Sequence, residues 1–343
     1  MSRHDLEQQP RGATGCSALS KRLDDFEDFR ELFGQWDGEF RQMSRGEFHG
    51  SIALVQGRIL RIFHAESNQA ILVRGADSAD LATFIPITRR NESTVWQGRS
   101  LQRGQMIAKS PEVGYQNLSR RDVAIRSVLL PRERLRHAAH LLTGRAPEEL
   151  IPSWAALRPA PVRVARFERA IESLLVSSLR NPAWLATPAG EAAESECLRY
   201  LVDALADPDT QDATPRRPRG RLSVVARAAD FMHHRLTGPV SALDLCAQLG
   251  VSDRTLRRAF HDAFGMGPLA YQRLLRLHAT RAALKAGDGA DNQVGDIARR
   301  WGFNRLGAFA ADYCRQFGEL PSQTLRRCAK PSSSSRSQVS SHP

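Results

Sequence analysis

The sequence predicts an α+β protein of several domains, strand-rich in its first half and all-α near its C-terminus. Three observations predict it. Apolar spacing changes from short runs to helical periods near Pro131. One segment recurs at an offset of 52 residues near the C-terminal end. Charge is uneven: residues 219–343 hold 19 Lys and Arg against 9 Asp and Glu, a net +10 of the chain's formal +12.

The chain has 343 residues, enough for two or three cores. No run of about 18 apolar residues is present, so no membrane span is expected. The polar start gives no sign of a secretory leader. Cys16, Cys197, Cys246, Cys314 and Cys328 show no CxxC spacing. That argues against a disulfide framework or a zinc site and fits a reduced, cytoplasmic setting.

Taken in order, residues 1–20 are polar and aperiodic and are expected to be disordered. Residues 21–150 form the strand-rich domain, with apolar runs from about Gln35 broken by Gly, Asn and Asp. The runs are Ser51–Val55, Arg58–Phe63, Ala70–Val73, Leu81–Ile87, Gln105–Ala108 and Val123–Leu130. Gln56-Gly57 reads as a hairpin turn. Six to eight strands without a long intervening helix predict a sandwich or small barrel. Helical spacing follows in Arg132–Thr143.

Residues 155–210 are a helical region ending in a linker. Val162–Leu179 carries Val164, Phe167, Ile171, Leu174, Leu175 and Leu179 on one face. Glu191–Leu205 carries Cys197, Leu198, Leu201, Val202 and Leu205. Asp207–Gly220 holds three prolines and reads as an exposed linker. Residues 221–328 contain the repeat. Residues 329–343 are Ser-rich and expected to be disordered.

The repeat pairs Asp244-Leu245-Cys246-Ala247 with Asp296-Ile297-Ala298-Arg299, and Gly250-Val251-Ser252 with Gly302-Phe303-Asn304. After a one-residue insertion, Leu256, Phe260, Phe264, Gly265 and Pro268 match Phe309, Tyr313, Phe317, Gly318 and Pro321. Each unit reads as a short helix with a small residue at a close crossing. Gly250 or Gly302 ends that helix in a left-handed turn. Ser252 or Asn304 then caps a second helix. In the first unit this second helix buries Leu256, Phe260 and Phe264 and presents Arg254, Arg257, Arg258 and His261 on the other face. An arginine face on a capped helix suits the DNA major groove, where Arg pairs with guanine. Between the units, Leu269–Lys285 lacks Gly and Pro and reads as a stiff helix. It would hold the two reading helices about 34 Å apart, one turn of DNA.

At these residues the chain resembles the AraC/XylS family of bacterial regulators. The resemblance covers about 100 residues and rests on Gly302-Phe303-Asn304, Phe309, Tyr313, Phe317-Gly318 and Pro321-Ser322. The wording from Leu306-Gly307 through Pro321-Ser322-Gln323-Thr324-Leu325 is similar to the subgroup containing the ethanolamine-operon regulator. The resemblance implies a sequence-specific transcription regulator, not an enzyme, acting on double-stranded promoter DNA and RNA polymerase at the nucleoid. It implies base contacts from Arg254, Arg257 and Arg258. Backbone or minor contacts fall to Ser252, Thr255, His261, Arg305, Leu306, Gly307, Ala310 and Arg315. Leu306, Gly307, Ala310 and Ala311 depart from a polar reading surface, so the first unit is expected to supply most direct readout. The family also implies a cupin-like sensor domain for a small-molecule effector, and a homodimer. The stripes on Val162–Leu179 and Glu191–Leu205 fit either a dimer interface or a cover for the strands.

Other chemistry finds little support. His49 and His64 lack the spacing of a metal-binding cupin, so no metal or cofactor is expected. No nucleophile elbow, P-loop or dinucleotide fingerprint occurs. An enzyme fused to the DNA-binding module, such as a DNA-repair methyltransferase, would need a reactive cysteine setting, and none is recognisable. Arg120, Arg121 and Arg126 are either an anion site or ordinary exposed arginines.

Overall fold

The structure is a computed structural model that describes residues 15–29, 38–76, 78, 80–97, 99–109, 114–151, 156–207, 211–212, 221–238, 240–286 and 294–328. By contacts the chain falls into two compact units. One is drawn from Met1–Ser44, Phe48–Val225 and Ala259–Gly265, the other from Arg45–Glu47, Ala226–Arg258 and Met266–Pro343.

The first unit contains two antiparallel sheets. In spatial order, the larger sheet runs β1 (Ser17–Leu23), β3 (Gly50–Gln56), β4 (Arg61–Ser67), β11 (Val123–Pro131), β6 (Leu81–Pro86), β9 (Met106–Lys109), β12 (Ala156–Arg158) and β13 (Gln211–Asp212). The smaller runs β2 (Gly38–Gln42), β5 (Ile71–Gly75), β10 (Tyr115–Leu118), β7 (Val95–Trp96) and β8 (Arg99–Ser100). Each of the six expected runs lies at a strand, but several other strands run only two to four residues, too short to leave a period of two.

Side chains alternate across the larger sheet. On β11, Val123, Ile125, Ser127 and Leu129 line a cavity of about 130 Å³ shared with the smaller sheet. Val128 and Leu130 face the opposite way, into a core with Phe84, Phe167 and Leu201. Helices supply the cover on that side: α1 (Arg132–Thr143), α2 (Pro147–Leu150), α3 (Pro161–Arg180) and α4 (Pro188–Leu205), with a 3-10 turn at Pro182–Ala186. Val164, Phe167, Ile171, Leu174 and Leu175 of α3 are buried, as are Cys197, Leu201, Val202 and Leu205 of α4. The buried residues of both stripes therefore pack against the chain's own sheet. Leu179 stays exposed.

The β3–β4 connection corrects one expectation. Gln56 ends β3, Arg61 begins β4, and the Gly57 amide donates to the Leu60 carbonyl. The hairpin is real, but its loop is four residues long, and Arg58–Leu60 belong to it rather than to a strand. The cause is Glu194 of α4, which is 0% exposed. Its carboxylate accepts from the amides of Arg58, Ile59 and Leu60 at 3.0, 3.2 and 3.1 Å. A Cβ on Gly57 would collide with that carboxylate, so glycine is required here for close approach.

Two further expectations are corrected. Ser17–Ser20, expected to be disordered within 1–20, pair with β3 in an edge strand. Backbone pairing with β3 holds them, and Ala18 packs against the core; residues 1–14 lie outside the described residues. The supposed linker begins with Asp207, which is buried rather than exposed. Its carboxylate accepts from the Ala160 amide at 2.7 Å and lies 3.5 Å from the Arg163 guanidinium. Gln211–Asp212 pair with β12. The expected tail at 329–343 lies outside the described residues.

The C-terminal helices are α5 (Arg221–His234), α6 (Ala242–Leu249), α7 (Asp253–Phe264), α8 (Pro268–Ala286), α9 (Val294–Arg300), α10 (Leu306–Phe317) and α11 (Pro321–Cys328). α8 has 19 residues, about 28 Å of rod at 1.5 Å per residue. Among the described residues no helix is long and apolar enough to cross a membrane.

Candidate nucleic-acid interface

Local chemistry sets each end of the first helix pair. Ser241 caps α6: its hydroxyl accepts from the Asp244 amide at 3.1 Å, and the Asp244 carboxylate accepts from the Ser241 amide at 2.9 Å. This reciprocal box was legible as Ser-x-x-Asp but was not read from the sequence. Backbone and side-chain hydrogen bonds from Ser241 hold Asp244 below the usual carboxylate range. Gly250 ends α6 at φ 67, its amide donating to the Cys246 carbonyl. Ser252 then caps α7, accepting from the Thr255 amide at 3.3 Å.

α7 separates its faces by the helical period. Leu256, Phe260 and Phe264 are buried, with the two rings 5.7 Å apart. Arg254, Arg257, Arg258 and His261 recur at i, i+3, i+4 and i+7 and are all exposed. Ser252 is exposed and Thr255 half-buried. Arg257 pairs with Asp253 at 2.6 Å, an exposed contact of small worth. Arg254 and Arg258 have no acidic partner among the described residues. Three guanidiniums thus stand on one solvent-facing surface, with two of them free to take new acceptors.

The second pair repeats the plan with one difference. Gly302, at φ 82, follows α9, and the Phe303 amide donates to the Ala298 carbonyl. Arg305, not Asn304, is the N-terminal cap residue of α10, and its side chain makes no capping hydrogen bond among the described residues. The expected Asn304 cap is therefore corrected: the one-residue insertion moves the helix start beyond its reach. On α10, Arg305, Gly307, Ala311 and Arg315 are exposed, and Leu306 and Ala310 half-buried. Arg315 pairs with Asp312, which also pairs with Arg273 of α8. A surface of glycine and alanine lacks side-chain donors but allows close approach to a backbone or a methyl group.

Inside, α10 is held by a chain of tilted and edge-to-face rings and a polar cluster. Phe303, Phe309, Tyr313 and Phe317 follow one another at 4.8, 5.7 and 4.7 Å between centroids. Arg281 of α8, 4% exposed, pairs with Glu319, which also pairs with Arg327. Thr324 bonds the Tyr313 hydroxyl and donates to Glu319, both at 2.8 Å. Burial pushes Tyr313 up to about 12. Sequence reasoning missed this cluster. Its one signal was Arg281 on the apolar face of a helix whose neighbours Leu277 and Leu284 are buried.

Elsewhere, the structure does not unite the candidates for other chemistry. His49 is exposed. The His64 imidazole donates through Nδ1 to the Ile125 carbonyl at 3.2 Å, and burial, then Arg126, lowers its pKa. Among the described residues no cluster of His, Cys, Asp or Glu is arranged to hold a metal. Cys197 is buried and its thiol pushed up to about 12, chiefly by burial, which keeps it from acting as a nucleophile. Arg126 pairs with Glu172 of α3 at 3.4 Å, while Arg120 and Arg121 are exposed at the β10–β11 connection.

Two glycine-turned helix pairs, each followed by a helix that opens on proline, define a duplicated helix-turn-helix. Residues 245–327 match the family model described as "Helix-turn-helix domain". Among curated proteins, the chain is similar to the "Probable thc operon regulatory protein" of Rhodococcus erythropolis, 32% identical over 133 residues, covering 38% of this chain and 40% of that one. It is also similar to the "XylDLEGF operon transcriptional activator" of Pseudomonas putida, 36% identical over 104 residues, covering 30% and 32%. The chain thus spans two-fifths or less of the length of these relatives. Among solved structures, it is similar to a probable AraC family transcriptional regulator from Rhodopseudomonas palustris, 31% identical, covering 32% of this chain and 99% of that one, TM-score 0.30. The AraC-like transcriptional activator CuxR is 16% identical, covering 83% and 100%, TM-score 0.42. The two curated relatives are named as operon regulators, and residues 245–327 of this chain match a helix-turn-helix domain.

Proposed function

We propose that this chain is a sequence-specific DNA-binding transcription regulator that responds to a small-molecule effector through its strand-rich half. One observation carries the reading: the exposed row Arg254, Arg257, Arg258 and His261 on a capped helix behind a glycine turn. Arginines at this spacing present paired donors to guanine edges in a major groove. In this reading residues 221–328 are the DNA-binding domain. Ser252, Thr255, Arg305 and Arg315 serve the phosphate backbone, while Leu306, Gly307 and Ala310 seat the second helix. The relatives' operons differ from the ethanolamine operon, so that subgroup rests on the 306–325 wording alone.

The partners in this reading are promoter DNA, RNA polymerase and a second copy of the chain, in the cytoplasm at the nucleoid. Because the α3 and α4 stripes are used internally, a second copy must use another face. The exposed Leu141 and Leu142 of α1 offer an apolar one. The 130 Å³ cavity between cupin-like sheets offers the effector a place.

The test is selection of bound sequences from random duplexes by the full chain, with and without cell extract. A recovered motif that becomes weaker or vanishes in the Arg254→Ala/Arg258→Ala variant supports the reading. Recovery of no motif at low salt overturns it.

A further inference from the structure

Resting on the effector reading, the structure assigns the cavity between the sheets a ligand class: we infer a small monocyclic phenol. Two of its lining residues carry a buried atom that has no hydrogen-bond partner among the described residues: Thr83 Oγ1 on β6 and Asn117 Oδ1 on β10. Their residues are 2% and 6% exposed. Buried polar atoms of this kind are rarely left unpaired, and each costs stability until a partner arrives. They belong to different sheets and line the same cavity, and the proposed ligand places one group between them.

The chemistry of that group follows from the two atoms. A carboxamide oxygen only accepts, so the ligand must donate to Asn117. A threonine hydroxyl donates or accepts, so it satisfies the same group's lone pair. A hydroxyl does both; an ether, ketone or halide cannot donate. The rest of the lining sets the body of the ligand. Phe40, Phe63, Ile125 and Tyr115 leave a cavity of about 130 Å³, close to the ~150 Å³ that holds one benzene ring. Lys109 holds its ammonium 4.0 Å over the Tyr115 ring, the geometry of a cation–π contact. The cavity is therefore built for one ring with one hydroxyl.

The experiment titrates phenol, toluene and benzoate into the full chain by calorimetry, and repeats this with Asn117→Leu and Thr83→Val. Phenol is expected to bind roughly tenfold tighter than toluene, the worth of one well-made hydrogen bond. Asn117→Leu should erase that preference, and Thr83→Val should reduce it. Circular dichroism of both variants checks folding, and the two act independently if one fails. Equal binding of phenol and toluene overturns the assignment. So does benzoate binding alone, which would move the anchor to Lys109. DNA affinity, measured in the same samples, separates the two readings. Phenol that binds as expected without changing DNA affinity removes the effector role and keeps the ligand class. Extract that shifts DNA affinity while phenol fails to bind does the reverse.

Discussion

Arg257 differs from its neighbours Arg254 and Arg258 in holding Asp253 at 2.6 Å. Both partners of that pair are exposed, so the pair orients the guanidinium more than it stabilises the helix. Replacing Arg257 by Ala is expected to weaken specific binding by about 1–3 kcal/mol and relax preference at one base position. Ala310→Ser is expected to leave preference unchanged, because the second helix lacks side-chain donors on its smooth face. Mobility-shift titrations on the selected site and on single-base variants would read both; equal effects of the two changes would refute the division of labour. Tyr313 gives a second expectation. It ionises near 12 when folded and near 10 when unfolded. Between those values the unfolded chain releases a proton that the folded chain keeps. Stability therefore falls as pH rises through that window, by roughly 2–3 kcal/mol at its end. Tyr313→Phe should lose that part of the alkaline sensitivity, as urea unfolding at pH 9.5 and 11.5 would show.

Helices in this protein are positioned by their ends and by single buried carboxylates. Glu194 ties α4 to the β3–β4 loop through three backbone amides. Truncation to Ala orphans all three donors and is expected to destabilise the sheet unit by about 3 kcal/mol or more, measured by urea unfolding. Glu194→Gln keeps an acceptor and should cost less. The turn between α6 and α7 depends on Gly250, at φ 67 with open space where a methyl group would stand. Gly250→Ala therefore meets backbone strain alone, about 1–2 kcal/mol, and Gly250→Asn less. Thermal unfolding of the two variants against wild type would rank them. Of these devices, the Gly250 turn and the Ser252 cap could be read from residue type and spacing. Glu194 could not, because its partners lie more than 130 positions away in the chain.

Charge acts over the whole molecule. Most of the net +12 lies in residues 219–343, which gives DNA association a strong electrostatic component. If about six phosphates are neutralised, log affinity should fall against log salt with a slope near −5. Arg305→Ala should reduce that slope by about 1 across all sequences, unlike Arg257→Ala. Filter binding between about 50 and 200 mM salt would measure both slopes. A flat dependence would leave the basic end without a nucleic-acid partner.

Periodicity and duplication were enough to place α1, α3, α4 and the two glycine turns, since each follows from residues three, four or seven positions apart. They also marked the arginine face of α7, because burial of Leu256, Phe260 and Phe264 leaves Arg254, Arg257 and Arg258 no other side. Long-range contact decided the rest. It paired the polar edge strand Ser17–Leu23 with β3, turned the α3 and α4 stripes onto the chain's own sheet, and sealed Arg281 against Glu319. It also set Thr83 and Asn117 into one cavity from two sheets. Those outcomes depend on backbone pairing and on charges meeting out of water, and neither leaves a period in a linear chain.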